Sequence, residues 1–450
     1  MRTRRHFFTL LTATLATGVA FAAFGQSNPD SRSFDLSRCL ETALTQNYDI
    51  QKARERVRQQ HGSLIESRGR VIPNLQINGQ YQANDEALNM PGIERDNQWN
   101  VGAEISQALY SGGQNAATVQ SRRLAEDAAR LDLQATIESV LLQTREAYYG
   151  VLLARSQIRV QEQNIDLLEE ELQSAKNKLD AGAVSPFNVL RAEVALANGQ
   201  TPLIRARNNY RIAIEELARV LGIETSSSGQ EPSVDVAGEL DFETYKANLA
   251  DEREQAFANR AELKSLEQQR RSQERALRAT RGSYQPSLTA FAGYAFQSDF
   301  MSEDRWDEVN GWNAGVRLGW NVFDGLQTRG RTMQAASALE QARLAEQETK
   351  LAIDVEVRRA NSSFIEAEEL YHATRKVVEQ AEESVRLARS RFDVGAATQL
   401  DVLQTQQALT EARDNQVQAL HDYNVALARL RKAIGVLSNF GPVATSAYTP

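Results

Sequence analysis

The chain contains one cysteine, four histidines and nine prolines in 450 residues, and each scarcity excludes something. With Cys39 alone, no intrachain disulfide can form. Cys39 lies in Leu36-Ser37-Arg38-Cys39-Leu40, well beyond the N-terminal apolar run, so it reads as a small hydrophobe on a helix face rather than a lipid attachment point. The histidines, His6, His61, His372 and His421, stand singly. No nucleophile motif, phosphate-binding glycine loop or metal-spaced cluster accompanies them, so neither an enzyme nor a cofactor is expected. After the N-terminus there is no run of about 18 apolar residues, which leaves no candidate transmembrane helix. The net charge of −8 gives no basic face for a nucleic acid.

The N-terminus is the exception to this polarity. Arg2, Arg4 and Arg5 precede an apolar, small-residue stretch from Phe7 to Phe24, and Ala23-Phe24-Gly25 has the small-x-small form of a cleavage site. Residues 1–25 are therefore expected to be an export signal, with an uncleaved anchor helix as the alternative.

The rest of the chain is written twice. Pro73 falls on Pro286, a shift of 213, and the same shift carries Tyr81 to Tyr294 and Trp99-Asn100 to Trp312-Asn313. It also carries Gly112 to Gly325, Gly182 to Gly395 and Gly222 to Gly435. A unit this long is a subdomain, not a solenoid module of roughly 20–50 residues. The expected division is a first repeat over 26–223, a Ser-, Gly- and Pro-containing connector over 224–240, a second repeat over 241–436 and a tail over 437–450.

Inside each copy the periodicity switches from 2 to 3.6. Leu75, Ile77, Gly79 and Tyr81 alternate with Gln76, Asn78, Gln80 and Gln82, and Trp312, Ala314, Val316 and Leu318 alternate with Asn313, Gly315 and Arg317. Strands are expected at 74–82, 98–109, 287–297 and 312–323, with Phe291 on the otherwise polar side. Such alternation fits a half-buried soluble sheet. It also fits membrane strands, which run about ten residues with aromatic ends. Long acidic loops, 83–96 and 298–311, join each pair.

Helix fills the remainder. Gly113 to Leu179 contains no proline and only Gly150 as an interruption, which is about 100 Å of helix at 1.5 Å per residue. Ile165, Leu168, Leu172, Ala175 and Leu179 step as a coiled-coil seam, repeated as Val378, Ala381, Val385, Ala388 and Phe392. Helical hairpins are expected over 113–221 and 326–434, kinked at Pro202 in the first copy, with single shorter helices over 36–67 and 249–281. Four strands cannot close a membrane barrel and open edges cannot face hydrocarbon, so embedded strands would require several chains to share one barrel. A soluble periplasmic coiled-coil or adaptor protein is the alternative that the helices alone allow.

Several of these residues carry a resemblance. Val71-Ile72-Pro73-Asn74-Leu75, the turns Leu109-Tyr110-Ser111-Gly112-Gly113 and Val322-Phe323-Asp324-Gly325-Leu326, and the run Phe392-Asp393-Val394-Gly395 through Asp401-Val402-Leu403 resemble the TolC-like outer-membrane efflux (outer-membrane factor) family. The resemblance spans nearly the whole chain. It implies an α+β membrane protein: a homotrimer with a 12-stranded outer-membrane β-barrel, continued by a periplasmic α-helical coiled-coil barrel. It implies export through a tripartite efflux or type I secretion system, with a periplasmic membrane-fusion adaptor and an inner-membrane pump as partners. The turns with Gly182, Ala183, Val184, Gly395, Ala396 and Thr398 would then be the tips that meet the adaptor. Asp401 matches the first of two acidic entrance positions and Gln404 replaces the second. The Tyr, Arg and Asp that close the entrance in relatives read Phe392, Ala397 and Asn188 here, so that latch is not expected. Asn100, Glu104, Asn313 and Arg317 would line the pore, and Tyr81, Trp99, Tyr294, Trp312 and Trp320 would face lipid or its interface.

Overall fold

A computed structural model describes residues 34–83, 85, 97–223, 234–298 and 308–437. The export signal, most of both acidic loops, the first part of the connector and the tail after Leu437 lie outside the described residues. The elements run α1 (Leu36–Gln46), α2 (Tyr48–Gly69), β1 (Asn74–Ala83), β2 (Asn97–Ser111), α3 (Gln114–Asp180) and α4 (Pro186–Leu221) in the first copy. The second copy follows with α5 (Leu249–Asn259), α6 (Ala261–Gly282), β3 (Ser287–Ser298), β4 (Glu308–Gly319), α7 (Gln327–Asp393) and α8 (Gln399–Ala433). The long helices α3 and α7 each have 67 residues, and the shift of 213 carries the first onto the second end to end.

Each copy buries its own apolar cluster where the short helices cross the roots of its long hairpin. Leu40, Leu141, Val151, Leu152, Leu217 and Leu221 pack together in the first copy. Ile353, Val357, Phe364, Leu427, Leu430 and Ile434 do so in the second. Cys39 is fully buried in the first cluster, and burial pushes its thiol up to about 12, so it is chemically quiet. Toward the far ends of the hairpins the expected seam is present: Val378, Val385, Leu409 and Ala412 form a small separate cluster. In the first copy Gly199 occupies the position matching Ala412. A Cβ there would come within 2.7 Å of Leu168 Cδ1, so this glycine permits close approach of α3 and α4. The helix α4 continues through Pro202.

Three expectations need correction. The single helices 36–67 and 249–281 are each two helices, broken at Asn47 and Arg260. Asn47 caps α2 by accepting from the Asp49 and Ile50 amides, and its amide group donates to Val220 O at 2.8 Å. Arg260 stands at the matching position and donates to Ala433 O at 3.2 Å, while its guanidinium pairs with Glu356 at 2.7 Å and Glu262 at 3.2 Å. Two unlike side chains therefore hold the same joint. The described part of the connector, 234–240, is packed: Val234 and Val236 are buried in the first cluster, and Tyr148 Oη donates to Ala237 O. Leu437, assigned to the tail, is buried in that cluster too.

The last strand ends at Gly319 rather than at 323 and starts at Glu308 rather than at 312. Among the described residues its only strand neighbour begins at Ser287, directly after Pro286, and the final pair is Ser287 with Gly319. Among the described residues none past Gly319 has a strand beside it to bond, whereas the matching end of β2 continues to Ser111 because β3 pairs with it. The sheet order is β1-β2-β3-β4, antiparallel throughout.

Where α3 of the first copy packs on α6 of the second, Glu138 is buried, and neither of its oxygens makes a hydrogen bond of ordinary geometry among the described residues. Burial, reinforced by the charge of Glu262, pushes its carboxyl up to about 7, although the Gln134 amide beside it and the charges of Arg260 and Lys432 partly offset this. A raised acid pKa means the folded chain keeps a proton that the unfolded chain loses above its ordinary value of 4.5. The stabilising contribution is then complete below that value and is lost as pH rises through about 7. Glu138→Leu, which copies Leu351 of the second repeat, should raise stability at pH 8 by on the order of 1–3 kcal/mol. Thermal unfolding in detergent at pH 5 and pH 8 tests this, and an unchanged pH dependence in the variant would count against it.

Candidate functional site

Two regions hold the residues singled out in the sequence: the sheet and the hairpin tips. In the sheet the cross-strand register brings all four alternations into phase. Leu75 sits opposite Ile105, Ile77 opposite Ala103 and Tyr81 opposite Trp99. Ala103 in turn meets Tyr294, which meets Trp312, so one face is apolar across its width. That face is bare in the single chain: Ile77 is 75% exposed and Trp312 79%. The opposite face carries Gln76, Asn78, Gln80, Asn100, Glu104, Asn313 and Arg317. A sheet with a continuous apolar face that no described element covers is not half of a soluble core.

Phe291, the one large apolar residue on the polar face, has a local explanation. It lies opposite Gly315, where a Cβ would come within 3.0 Å of the ring, and the Arg317 guanidinium sits 5.0 Å from its centroid. Glycine makes room for the ring and arginine covers it with charge. Glu104 and Arg317 share the face but not a row, since the row through Glu104 and Gly293 reaches β4 at Asn313. The two copies are thus staggered by four residues along the strand (Asn313 to Arg317), as strand tilt in a curved sheet requires.

Aromatics gather at the loop end of the apolar face. Tyr81 pairs with Trp99 and Tyr294 with Trp312, and the Tyr294 hydroxyl donates to Asn310 at 2.6 Å. Trp320 was expected within a strand. It lies past the end of β4 instead, and its indole N–H donates to Tyr284 O at 3.1 Å near the helix end of the sheet.

Both tips are built by the same backbone device. The Gly182 amide bonds Leu179 O at 2.8 Å and the Ala183 amide bonds Lys178 O at 2.8 Å. In the second copy, Gly395 bonds Phe392 O at 3.0 Å and Ala396 bonds Arg391 O at 2.7 Å. This pattern needs a left-handed residue after the helix, and the glycines supply it at φ 71° and 76°. The helices that follow start differently. Thr398 and Asp401 form a reciprocal capping box, with Asp401 accepting from the Thr398 amide at 2.8 Å. Ser185 stands at the matching position without a side-chain cap bond, and Pro186 follows as the first helical residue.

The capping bonds from Thr398 hold the exposed Asp401 carboxyl below the usual range, so it is charged at neutral pH. Gln404 is exposed one turn further on, and Ala397 and Asn188 are half-buried beside the two turns. Phe392 is half-buried with the Lys178 ammonium 4.0 Å from its centroid, and Lys178 also pairs with Asp393 at 3.0 Å. Phe392, Lys178 and Asp393 thus form a fastening between the two tips. Residue types alone did not reveal Lys178, because its partners lie 214 and 215 residues away in sequence. The contrast between the caps is testable: Thr398→Ala should lose about 0.5–2 kcal/mol locally, whereas Ser185→Ala should be nearly silent. Hydrogen exchange of the first turns of α8 and α4 would measure both, and equal effects would contradict the assignment.

Comparison with known proteins places this geometry. The profile of the outer membrane efflux protein family matches residues 39–223 and 253–436, one match per copy. The chain is 24% identical over 388 residues to the outer membrane protein TolC of Vibrio cholerae, covering 84% of this chain and 85% of that one. It is 25% identical over 304 residues to the alkaline protease secretion protein AprF of Pseudomonas aeruginosa, covering 67% and 62%. The Campylobacter jejuni CmeC outer membrane channel superposes with a TM-score of 0.78 at 17% identity, covering 92% and 87%. With a duplicated helical hairpin, a two-faced sheet and a family match across both copies, the chain belongs to the outer membrane efflux protein family and is an outer-membrane exit duct.

Proposed function

We propose that three copies of this chain form one passive conduit from a periplasmic adaptor and an inner-membrane pump to the cell exterior. The observation that carries this reading is the bare, two-faced, four-stranded sheet with two open edges. In hydrocarbon an unpaired strand edge has no water to bond, so the edges must be closed by other chains. Two chains would give about eight strands, an interior that side chains fill, while three give about twelve and leave a bore. Asn100, Glu104, Asn313 and Arg317 would face that bore. Tyr81, Trp99, Tyr294 and Trp312 would lie at the outer interface and Trp320 at the periplasmic one.

The helices continue the bore into the periplasm, and the glycine turns at Gly182-Ala183-Val184 and Gly395-Ala396, with Thr398, are the surface offered to the adaptor. Asp401 would form a ring of three charges at the entrance, with Gln404, Asn188, Phe392 and Ala397 nearby. The same carboxylate also caps α8, so both roles use one ionised group. No step in conduction needs chemistry from this chain.

Extraction tests the reading directly. The protein should stay with outer membranes in high salt and leave in detergent as a particle of three chains; release by salt alone would sink it. Labels at Val101 and Val316, on the apolar face, should be quenched by lipid-borne probes. In planar bilayers, Arg317→Glu should move the reversal potential toward cation preference, and an unmoved potential would place Arg317 outside the conduction path.

A further inference from the structure

The charge of the chain reverses between the two ends of its sheet. The residues that join strands to helices, 64–73, 112–123, 274–286 and 322–331, hold nine arginines, no lysine and three acids, in a chain whose net charge is −8. The acidic loops at the opposite end, 83–96 and 298–311, hold nine acids and two arginines. Two of the three acids at the helix end are already engaged: Glu66 pairs with Arg70 at 3.6 Å, and Asp324 accepts from the Thr328 amide at 2.8 Å. The guanidinium groups of Arg68, Arg123, Arg275, Arg278, Arg281 and Arg329 have no hydrogen-bond or ion-pair partner among the described residues. Further from the sheet, arginines are paired. Arg130 meets Glu126 at 2.7 Å, Arg270 meets Glu346 at 2.8 Å, Arg271 meets Glu267 at 2.6 Å and Arg343 meets Glu340 at 3.3 Å.

Helix stability accounts for only part of this. Arg68 and Arg281 stand in the last turns of α2 and α6, where a cation suits the helix dipole. Arg329 stands in the first turn of α7, where a cation opposes the dipole and no acid compensates. Packing does not explain Arg275 and Arg278. The helix α6 meets α3 through Ser272, whose hydroxyl lies 3.0 Å from that of Ser121, and meets α7 through Arg270 and Glu346. Arg271, Arg275 and Arg278 step by four and three along a separate side of α6, and the side opposite reads Gln269, Gln273, Ala276 and Thr280. Both long neighbours of α6 belong to its own chain, so the arginine stripe lies on a broad face of the wall rather than on its flank.

The depth of these charges identifies their ligand. Ile72, Leu109, Tyr284, Trp320 and Phe323 are exposed at the joints themselves, and Trp320 reaches Tyr284 O just past the end of α6. The apolar face of the sheet therefore ends in an aromatic belt beside the arginines. At 1.5 Å per residue, Arg329 lies about 3 Å into α7 and Arg278 about 6 Å from the end of α6. The headgroup layer of a bilayer is about 5–7 Å thick on each side of its hydrocarbon. A planar guanidinium matches a phosphate through two parallel bonds, which fits the use of arginine without lysine.

We propose that these arginines form a girdle that binds the phosphate groups of anionic phospholipids in the leaflet facing the periplasm. Arg68, Arg278, Arg281 and Arg329 hold headgroups directly below the aromatic belt. Arg123 lies deeper but leans toward them, because side chains tilt toward the N-terminus of their helix. The girdle fixes how deep the wall stands in the membrane. The inference rests on the membrane conduit reading above.

Lipid retention tests it. The full-length protein, extracted in mild detergent, is incubated with equal amounts of phosphatidylglycerol and phosphatidylcholine, and the lipids kept by the intact particle are counted by mass spectrometry. Phosphatidylglycerol should be enriched over phosphatidylcholine, with each arginine contributing up to about fivefold. Replacing Arg278, Arg281 and Arg329 together by glutamine should abolish the enrichment, whereas replacing the same three by lysine should keep part of it. Arg343→Gln, about 24 Å along α7 from its first residue, should leave the enrichment unchanged. Equal retention of the two lipids by the unsubstituted protein, or enrichment that survives the triple glutamine replacement, would overturn the girdle. Loss of the enrichment to excess inorganic phosphate at constant ionic strength would reveal a free-anion site and overturn it too. Three-chain particles that retain both lipids equally would leave the conduit reading standing, and release of the protein from membranes by salt alone would overturn both.

Discussion

A β-strand placed in hydrocarbon must have both rows of backbone groups bonded, because nothing in the solvent can bond them. Everything in this chain is arranged around that requirement. Its four strands satisfy one another across three junctions and leave β1 and β4 each with one bare edge. The apolar face needs lipid, the polar face needs water, and the edges need another copy. One chain is therefore a segment of a wall, and its long helices are the parts of the wall that stand clear of the bilayer.

Duplication gives each chain two strand pairs and two long helical hairpins. The seam inside the chain joins the first copy to the second, through β2 with β3 in the sheet and through Lys178 with Asp393 at the tips. Where the copies differ, they differ at joints with a stated load. Asn47 and Arg260 hold the same carbonyl position with an amide and with a charged network. Thr398 caps by its side chain while Ser185 yields to Pro186. Glu138 keeps a buried acid inside the chain, where its counterpart Leu351 is apolar.

Much of this was legible in the order of residues alone. A period of 2 beside a period of 3.6, repeated at a fixed shift, marks strands and long helices because side-chain direction follows backbone geometry within a few residues. The glycine turns at 182 and 395 were equally readable, since a left-handed residue after a helix is a local demand. Even Phe291 could be recognised as out of phase, although its accommodation by Gly315 and Arg317 could not.

What only the tertiary structure decided depends on residues far apart in sequence. The strand expected to reach 323 stops at Gly319 because its neighbour starts after Pro286, which no window around 320 reveals. The connector is packed because Val234 and Val236 find the first cluster, and Leu437 finds it from the other end of the chain. Lys178 meets Phe392 and Asp393 only after two long helices have brought the tips together. Periodicity reports which way a side chain points; which partner it meets is set by chain folding, and for the outer edges by a second copy.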